Sequence, residues 1–457
     1  MVISFVKKYK IEIFIFLLAV FLRLVFFFVC LNANGGDVIT TVRGQDWYFE
    51  ISRNLMLGNG FSAETVPPFT PYSYGVPGYP YFLFFLLWLT GSYLAVSMIQ
   101  LVLGAIIPLL GMRLARMIIP QENTLKSIPV AVGVLLAITP YQILFSFIFF
   151  TETVFTLLFL TFLILIFQFL KNQKTSLICL SGLLLGLATL VKPTVQYVPI
   201  LVIGFVLWQF RNGSLKKLFA QLGYFLLIFI LIISPWLYRN YHAFGVVNLS
   251  AQISTNLYGT LLPSVLAIEN HTSYTEEQAK LPRTPIASAG SLFRENDTAF
   301  RQILSHPVSL VKLSFLSAFT FFTHDGMVTF MQNAGIVVNS RLEKPALLLF
   351  LNSPSQFLEI VWGYRYSNLM IVFFARLFWL ALTGCFILGL YELFKRHFLT
   401  SQMAFSVVLV FYFMLTTMIN GLTVNARFRM PVEPIIFTVA CIGFYSFICV
   451  KKESYAS

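Results

Sequence analysis

The run IEIFIFLLAVFLRLVFFFVCL, residues 11–31, ends abruptly in a polar loop that extends from Asn32 to Pro80. The run is long enough to cross the ~30 Å hydrocarbon core of a bilayer as a helix. Lys7, Lys8 and Lys10 precede it. It is nevertheless long for the core of a signal peptide and lacks a small-residue cleavage pattern, so it is expected to stay as an anchor. The loop carries Gly44-Gln45-Asp46-Trp47-Tyr48, Gly58-Asn59-Gly60-Phe61 and Val76-Pro77-Gly78-Tyr79-Pro80. A membrane protein does not need such a loop merely to stay inserted, and ionisable groups where the bilayer ends are functional-site candidates. The loop reads as half of an active site.

The rest of the chain extends this pattern. Its 457 residues are 58% hydrophobic and 11% charged, which excludes a soluble domain and predicts an all-α polytopic membrane protein. The net charge of +13 resides in short gaps between apolar runs. That is the positive-inside bias of a membrane protein and argues against nucleic acid as a partner. Cys30, Cys179, Cys385, Cys441 and Cys449 lie in or beside apolar segments without metal-ligand spacing, and the five histidines show no paired spacing. Placing the basic gaps at Lys7–Lys10, Arg113–Lys126, Lys171–Lys174, Arg211–Lys217, Lys395–Arg396 and Lys451–Lys452 in the cytoplasm sets the threading. Spans are expected near 11–31, 93–118, 127–150, 153–170, 175–191, 194–210, 217–237, 369–391, 400–420 and 431–450, with both termini cytoplasmic. The short run 79–89 cannot cross without inverting that charge pattern, so it is expected to be juxtamembrane or re-entrant. Three regions follow: an N-terminal module 1–237 with its first outer loop 32–92, an outer-side region 238–368, and a C-terminal set of spans 369–457. Within the middle region 308–322 is expected to lie in the interface, or to cross together with 345–362.

This threading brings Asp46, Glu152, Lys192, Arg239, Arg427 and Arg429 to the outer face. Each has an ordinary structural alternative. Asp46 could cap a helix over 47–57, and Glu152 could favour a helix N-terminus. Lys192, Arg427 and Arg429 could snorkel, although for the two arginines snorkelling does not explain cations on the disfavoured side. Glu433, four residues after Arg429, could be its structural partner. Arg23 lies well inside the first span and would snorkel or pair in the bundle. Taken together, a carboxylate able to deprotonate a hydroxyl and fixed cations able to neutralise a departing phosphate suit glycosyl transfer from a lipid-phosphate sugar. An Asp46/Glu152 pair also leaves room for a divalent metal. Trp47, Tyr48, Tyr72, Tyr74, Tyr79 and Trp236 read as interfacial aromatics, some able to stack on a sugar.

The succession Asp46-Trp47-Tyr48, Glu50 to Leu55, Gly58-Asn59-Gly60-Phe61, Pro77-Gly78-Tyr79-Pro80, Thr151-Glu152, Lys192-Pro193, Pro235-Trp236 with Arg239-Asn240, and Arg427-Phe428-Arg429-Met430-Pro431-Val432-Glu433-Pro434 resembles bacterial GT-C glycosyltransferases. It is most similar to the dolichyl-phosphate-mannose protein mannosyltransferase-like set that includes lipid A aminoarabinose transferases. The resemblance is weakest from about Leu249 to Tyr366. It implies a GT-C-like bundle of about 10–12 transmembrane helices with outer-side juxtamembrane helices, a polyprenyl-phosphate sugar donor and a first-loop aspartate as general base. Two departures stand out. Family members commonly place the acid where this chain has Gly44, so the base is carried onto Asp46 with Asp37 as fallback. The family often has Arg or Lys just before the proline-glycine-tyrosine-proline segment, where this chain has Tyr74-Gly75-Val76, so phosphate binding falls to Lys192, Arg427 and Arg429.

The expected activity is inverting transfer from a polyprenyl-phosphate sugar to a glycan, lipid or protein acceptor, at the outer face of the cytoplasmic membrane. Glu152 and Arg239 would position the acceptor or a metal. The alternatives are a transporter or flippase of lipid-linked sugars, for which no internal repeat is visible, and a glycan polymerase or ligase using a diphosphate-linked donor.

Overall fold

The computed structural model describes residues 8–120, 125–211, 215–281, 299–338, 353–363, 367–396 and 399–454. Among them the regular structure is helix alone. In chain order the principal helices are α1 (Lys10–Ala33), α2 (Tyr48–Met56), α3 (Gly78–Thr90), α4 (Tyr93–Ile118), α5 (Ile128–Ile138), α6 (Glu152–Asn172), α7 (Thr175–Val191), α8 (Val198–Gln209), α9 (Leu215–Phe244), α10 (Pro307–Thr323), α11 (Leu369–Lys395), α12 (Ser401–Thr417) and α13 (Glu433–Ser454). Seven of these, α1, α4, α6, α9, α11 and, with adjoining 3-10 turns, α12 and α13, are long and apolar enough to cross a membrane. Local chemistry sets several of the boundaries. Ser92 and Thr400 cap α4 and α12 by accepting the Ala95 and Met403 amides. Gly91, at φ +63°, ends α3 in the left-handed conformation that glycine adopts without strain.

Two expected spans do not form as single long helices: 194–210 is divided into a 3-10 turn, Pro193–Val195, and the 12 residues of α8, and 127–150 breaks more completely. The stretch 127–150 is helical only over α5, whose 11 residues rise about 16 Å, well short of a bilayer. Pro140 cannot continue the ladder. The chain turns through a short helix, Pro140–Leu144, and runs on without regular structure to Thr151. Uniformly apolar composition hid this break. Arg23, fully buried in α1, meets the end of α5: its Nη1 donates to the carbonyls of Ala19 (3.1 Å) and Ala137 (3.4 Å). Among the described residues it forms no ion pair, so it neither snorkels nor pairs with an acid.

Contacts define two ends of the bundle. At one, Arg116 reaches Glu12 at 2.7 Å, Thr400 Oγ1 donates to the Ile118 carbonyl and Gln221 Nε2 to the Gln173 carbonyl. These contacts gather the chain segments that carry the basic gaps. At the other end Lys192 meets Glu152, Arg427 faces Asp46, and Arg239 Nη1 donates to the Tyr72 carbonyl. The described residues of 238–338 reach this second end: α10 lies against α11 and the 3-10 turns 418–423 and 426–432, and the Leu422 amide donates to Ser264 Oγ. Residues 282–298, 339–352 and 364–366 lie outside the described residues, so the expected crossing at 345–362 falls partly there. Helices α11 and α13 touch through Gly389 and Gly443: a Cβ on either would fall about 2 Å from a carbonyl oxygen of the other helix. Small residues at such contacts let membrane helices approach closely.

Candidate active site

The irregular stretch after α5 shapes the site from beneath. Inside an apolar bundle its carbonyls require internal donors. Gln100, a lone amide within α4, donates from Nε2 to the Ile148 carbonyl at 2.7 Å and the Phe145 carbonyl at 3.3 Å, while its Oε1 accepts the Tyr79 hydroxyl at 2.7 Å. Ser97 Oγ and Thr153 Oγ1 donate to the carbonyls of Phe147 and Phe145. This lattice delivers Phe149, Phe150, Thr151 and Glu152 to the N-terminal end of α6.

The first loop docks on that stretch. The Phe149 amide donates to the Val42 carbonyl at 2.7 Å. Gly44 then crosses it at φ +70°, so closely that a Cβ would sit 2.8 Å from the Phe150 ring and 3.0 Å from the Phe149 carbonyl oxygen. No side chain fits at 44, and the acid of this loop stands at Asp46. Asp46 does not cap α2; Trp47 occupies the cap position and makes no side-chain capping bond. Its carboxylate, 45% exposed, faces Arg427 Nη1 at 3.9 Å. Crowding by protein outweighs the attraction of Arg427, so the Asp46 pKa is raised above the ordinary carboxylate value.

Arg427 is presented by the 3-10 turn before α13, where Asn425 Oδ1 accepts the Arg427 amide at 3.1 Å. Its guanidinium lies over the rings of Phe150 and Phe428, with Cζ 5.6 and 5.2 Å from their centroids. Lys192, which ends α7 ahead of Pro193, places Nζ 3.2 Å from Glu152 Oε1 and over the rings of Phe428 (5.5 Å) and Phe155 (5.7 Å). Phe428 thus contacts both cations through its ring. Asp46, Glu152, Lys192 and Arg427 form one cluster of alternating charge.

The other expected site residues lie elsewhere. Arg429 is only 1% exposed: Nε is 3.3 Å from Glu433 Oε1, Nη1 donates to the Phe321 carbonyl at 2.9 Å, and Cζ stacks 3.4 Å from the Trp379 ring. It faces the bundle interior with the structural partner the sequence offered. Arg239 stacks on Trp236, Phe61 and Phe244 and donates to the Tyr72 carbonyl, so it fastens the first loop to α9. Asp37 caps the short helix Val38–Val42, accepting the Ile39 and Thr40 amides and the Thr40 hydroxyl. The Thr40 hydrogen bond, with the amides, holds its pKa below the ordinary value, which suits a cap and not a base. Among the described residues no three His, Cys, Asp or Glu side chains converge, and Asp46 and Glu152 each already face a cation. Sequence reasoning missed Gln100, Asn425 and Phe428. Gln100 carried a signal as a single amide inside an apolar span, and Phe428 lay within the quoted 427–434 motif without a role of its own.

Residues 71–238 match the family described as dolichyl-phosphate-mannose-protein mannosyltransferase. No curated protein matches the chain. Among solved structures, the apo oligosaccharyltransferase of Archaeoglobus fulgidus aligns with 99% of this chain and 52% of its own, at 15% identity and a TM-score of 0.52. The same enzyme with zinc and sulfate aligns with 94% of this chain and 51% of its own, at 12% identity and a TM-score of 0.47. The chain therefore spans about half the length of that oligosaccharyltransferase. The stretch from α3 to α9 thus resembles that mannosyltransferase family, and the chain shares its fold with the oligosaccharyltransferase along nearly its whole length.

Proposed function

We propose that this protein is an inverting glycosyltransferase that takes a sugar from a polyprenyl phosphate and passes it to a glycan, lipid or protein hydroxyl at the outer face of the cytoplasmic membrane. The observation that carries the reading is the juxtaposition of Asp46 and Arg427 beside the Glu152–Lys192 pair at the end of the bundle away from the basic gaps. The matched family, named for a dolichyl-phosphate sugar donor, supports the donor class.

In this reading the Asp46 carboxylate accepts the proton of the acceptor hydroxyl. The hydroxyl oxygen attacks the anomeric carbon from the face opposite the phosphate, the carbon–oxygen bond to phosphate breaks, and its electron pair leaves with the polyprenyl phosphate. Arg427 offers a planar fork to the phosphate oxygens and Lys192 a point charge. Donors placed where charge develops are worth roughly 3–4 kcal/mol each in a dry site. Glu152 holds Lys192 in place, Arg239 secures the loop that bears Asp46, and Arg429 with Glu433 braces the segment that bears Arg427.

The test is purified protein in lipid, given a panel of radiolabelled polyprenyl-monophosphate sugars and membrane extract as acceptor. Wild type is expected to transfer sugar, and a folded Asp46→Asn to lose at least ~10²-fold. Transfer retained by Asp46→Asn removes Asp46 as base. No transfer and no donor hydrolysis by wild type across the panel overturns the reaction class in favour of transport.

A further inference from the structure

A turn of the outer-side region grips the segment that presents Arg427. His324, at the end of α10, accepts two backbone amides at Nδ1: Gly326 at 3.1 Å and Ala426 at 3.3 Å. Ala426 is the residue immediately before Arg427. Just beyond it, Arg429 donates to the carbonyl of Phe321, in the last turn of the same helix, at 2.9 Å. The end of α10 is therefore tied to the 426–429 segment on both sides of Arg427.

The turn is itself immobilised. Asp325 is buried, with Oδ2 taking Arg376 Nε of α11 at 2.6 Å and Oδ1 taking the Met327 amide at 2.8 Å. Gly326, at φ +76°, lies flat on Tyr141, where a Cβ would fall 2.3 Å from a ring carbon, and the Tyr141 hydroxyl meets Thr329 Oγ1 at 3.1 Å. Tyr141 belongs to the short helix that opens the irregular stretch after α5. The turn 324–326 thus touches two of the segments that build the charge cluster, the 3-10 turn before α13 and the stretch after α5.

We propose that His324 is a positioning residue: its Nδ1 lone pair holds the Ala426 amide and thereby sets the Arg427 guanidinium opposite Asp46, linking the 238–368 region to the donor phosphate site. The inference rests on the phosphate-binding role given above to Arg427. Accepting at Nδ1 requires a neutral imidazole with its proton on Nε2. The donor site is then assembled only when the outer-side region is docked.

Asparagine and glutamine separate this role from others, because an asparagine Oδ1 stands near the place of Nδ1 and a glutamine carbonyl near that of Nε2. Wild type, His324→Asn, His324→Gln and His324→Leu would be compared in lipid by two readouts. The first is hydrogen exchange of the peptide covering 424–428. Exchange at Ala426 is expected to quicken at least tenfold in the Gln and Leu variants and to stay near wild type in the Asn variant. The second is steady-state transfer: Gln and Leu are expected to raise the KM for a polyprenyl-monophosphate sugar several-fold without changing the KM for acceptor, with Asn restoring it. Equal exchange in all four proteins overturns the proposal, as does rescue by Gln in place of Asn. Should the Leu variant fail to fold, the Asn–Gln comparison still decides. Absence of transfer by wild type sinks the proposed reaction, whereas the exchange readout judges the His324 tie independently.

Discussion

Asp46 is held between opposing influences: crowding that disfavours its charge and an arginine 3.9 Å away that favours it, with crowding the stronger. An ordinary aspartate loses its proton near pH ~3.9. A base must be unprotonated, so turnover is expected to rise as pH climbs through the raised Asp46 value and to fall away on the acid side at a pH higher than an ordinary aspartate would give. A kcat–pH profile checks this, and an acid limb at or below pH ~3.9 would assign the base elsewhere. Asp46, Glu152, Lys192 and Arg427 were legible as a group because charges at the ends of apolar runs are conspicuous and parity puts them on one face. The shift of the loop acid away from position 44 was visible, but its cause was not. Only the structure shows the Gly44 backbone pressed on Phe149 and Phe150, with no room for a side chain. Arg429 faces inward instead: two arginines separated by one residue in a 3-10 turn face different neighbours, and the sequence cue to which one does so was Glu433, four residues on.

The broken span is the element that sequence could not resolve. Residues 127–150 are apolar throughout, and hydropathy integrates over a window without registering where hydrogen bonding stops. The break leaves carbonyls of Phe145 and Ile148 inside the bundle, and the Gln100 amide serves both. Both carbonyls keep a second donor, Thr153 Oγ1 for Phe145 and the Phe150 amide for Ile148, so Gln100→Leu is expected to destabilise the protein by about 1 kcal/mol for each hydrogen bond lost. It should also reduce transfer, because Phe150 and Glu152 are carried on the same stretch. Thermal melting in detergent alongside turnover measures both effects, and unchanged melting would show that water replaces the amide. The long helices α1, α4, α6, α9, α11, α12 and α13 were legible because their apolar runs are bounded by basic gaps.

For the whole molecule, the proposed orientation predicts opposite access to the two ends of the bundle. With a membrane-impermeant maleimide, a cysteine at exposed Trp47 is expected to label in intact cells, and one at exposed Asn172 only after permeabilisation. The reverse pattern would turn the protein over and place the charge cluster in the cytoplasm. The cluster itself has a further consequence. Two carboxylates and two cations make the resting site electroneutral, so it has little long-range pull on an anion and relies on the bilayer to concentrate its lipid substrate. A sugar phosphodiester then arrives as one uncompensated negative charge. The site can absorb it by taking up a proton, and Asp46, already reluctant to ionise, is the group poised to do so. Substrate capture and chemistry would therefore prefer opposite protonation states of one carboxylate, and the pH series proposed for turnover should show donor KM rising over the same range in which kcat rises.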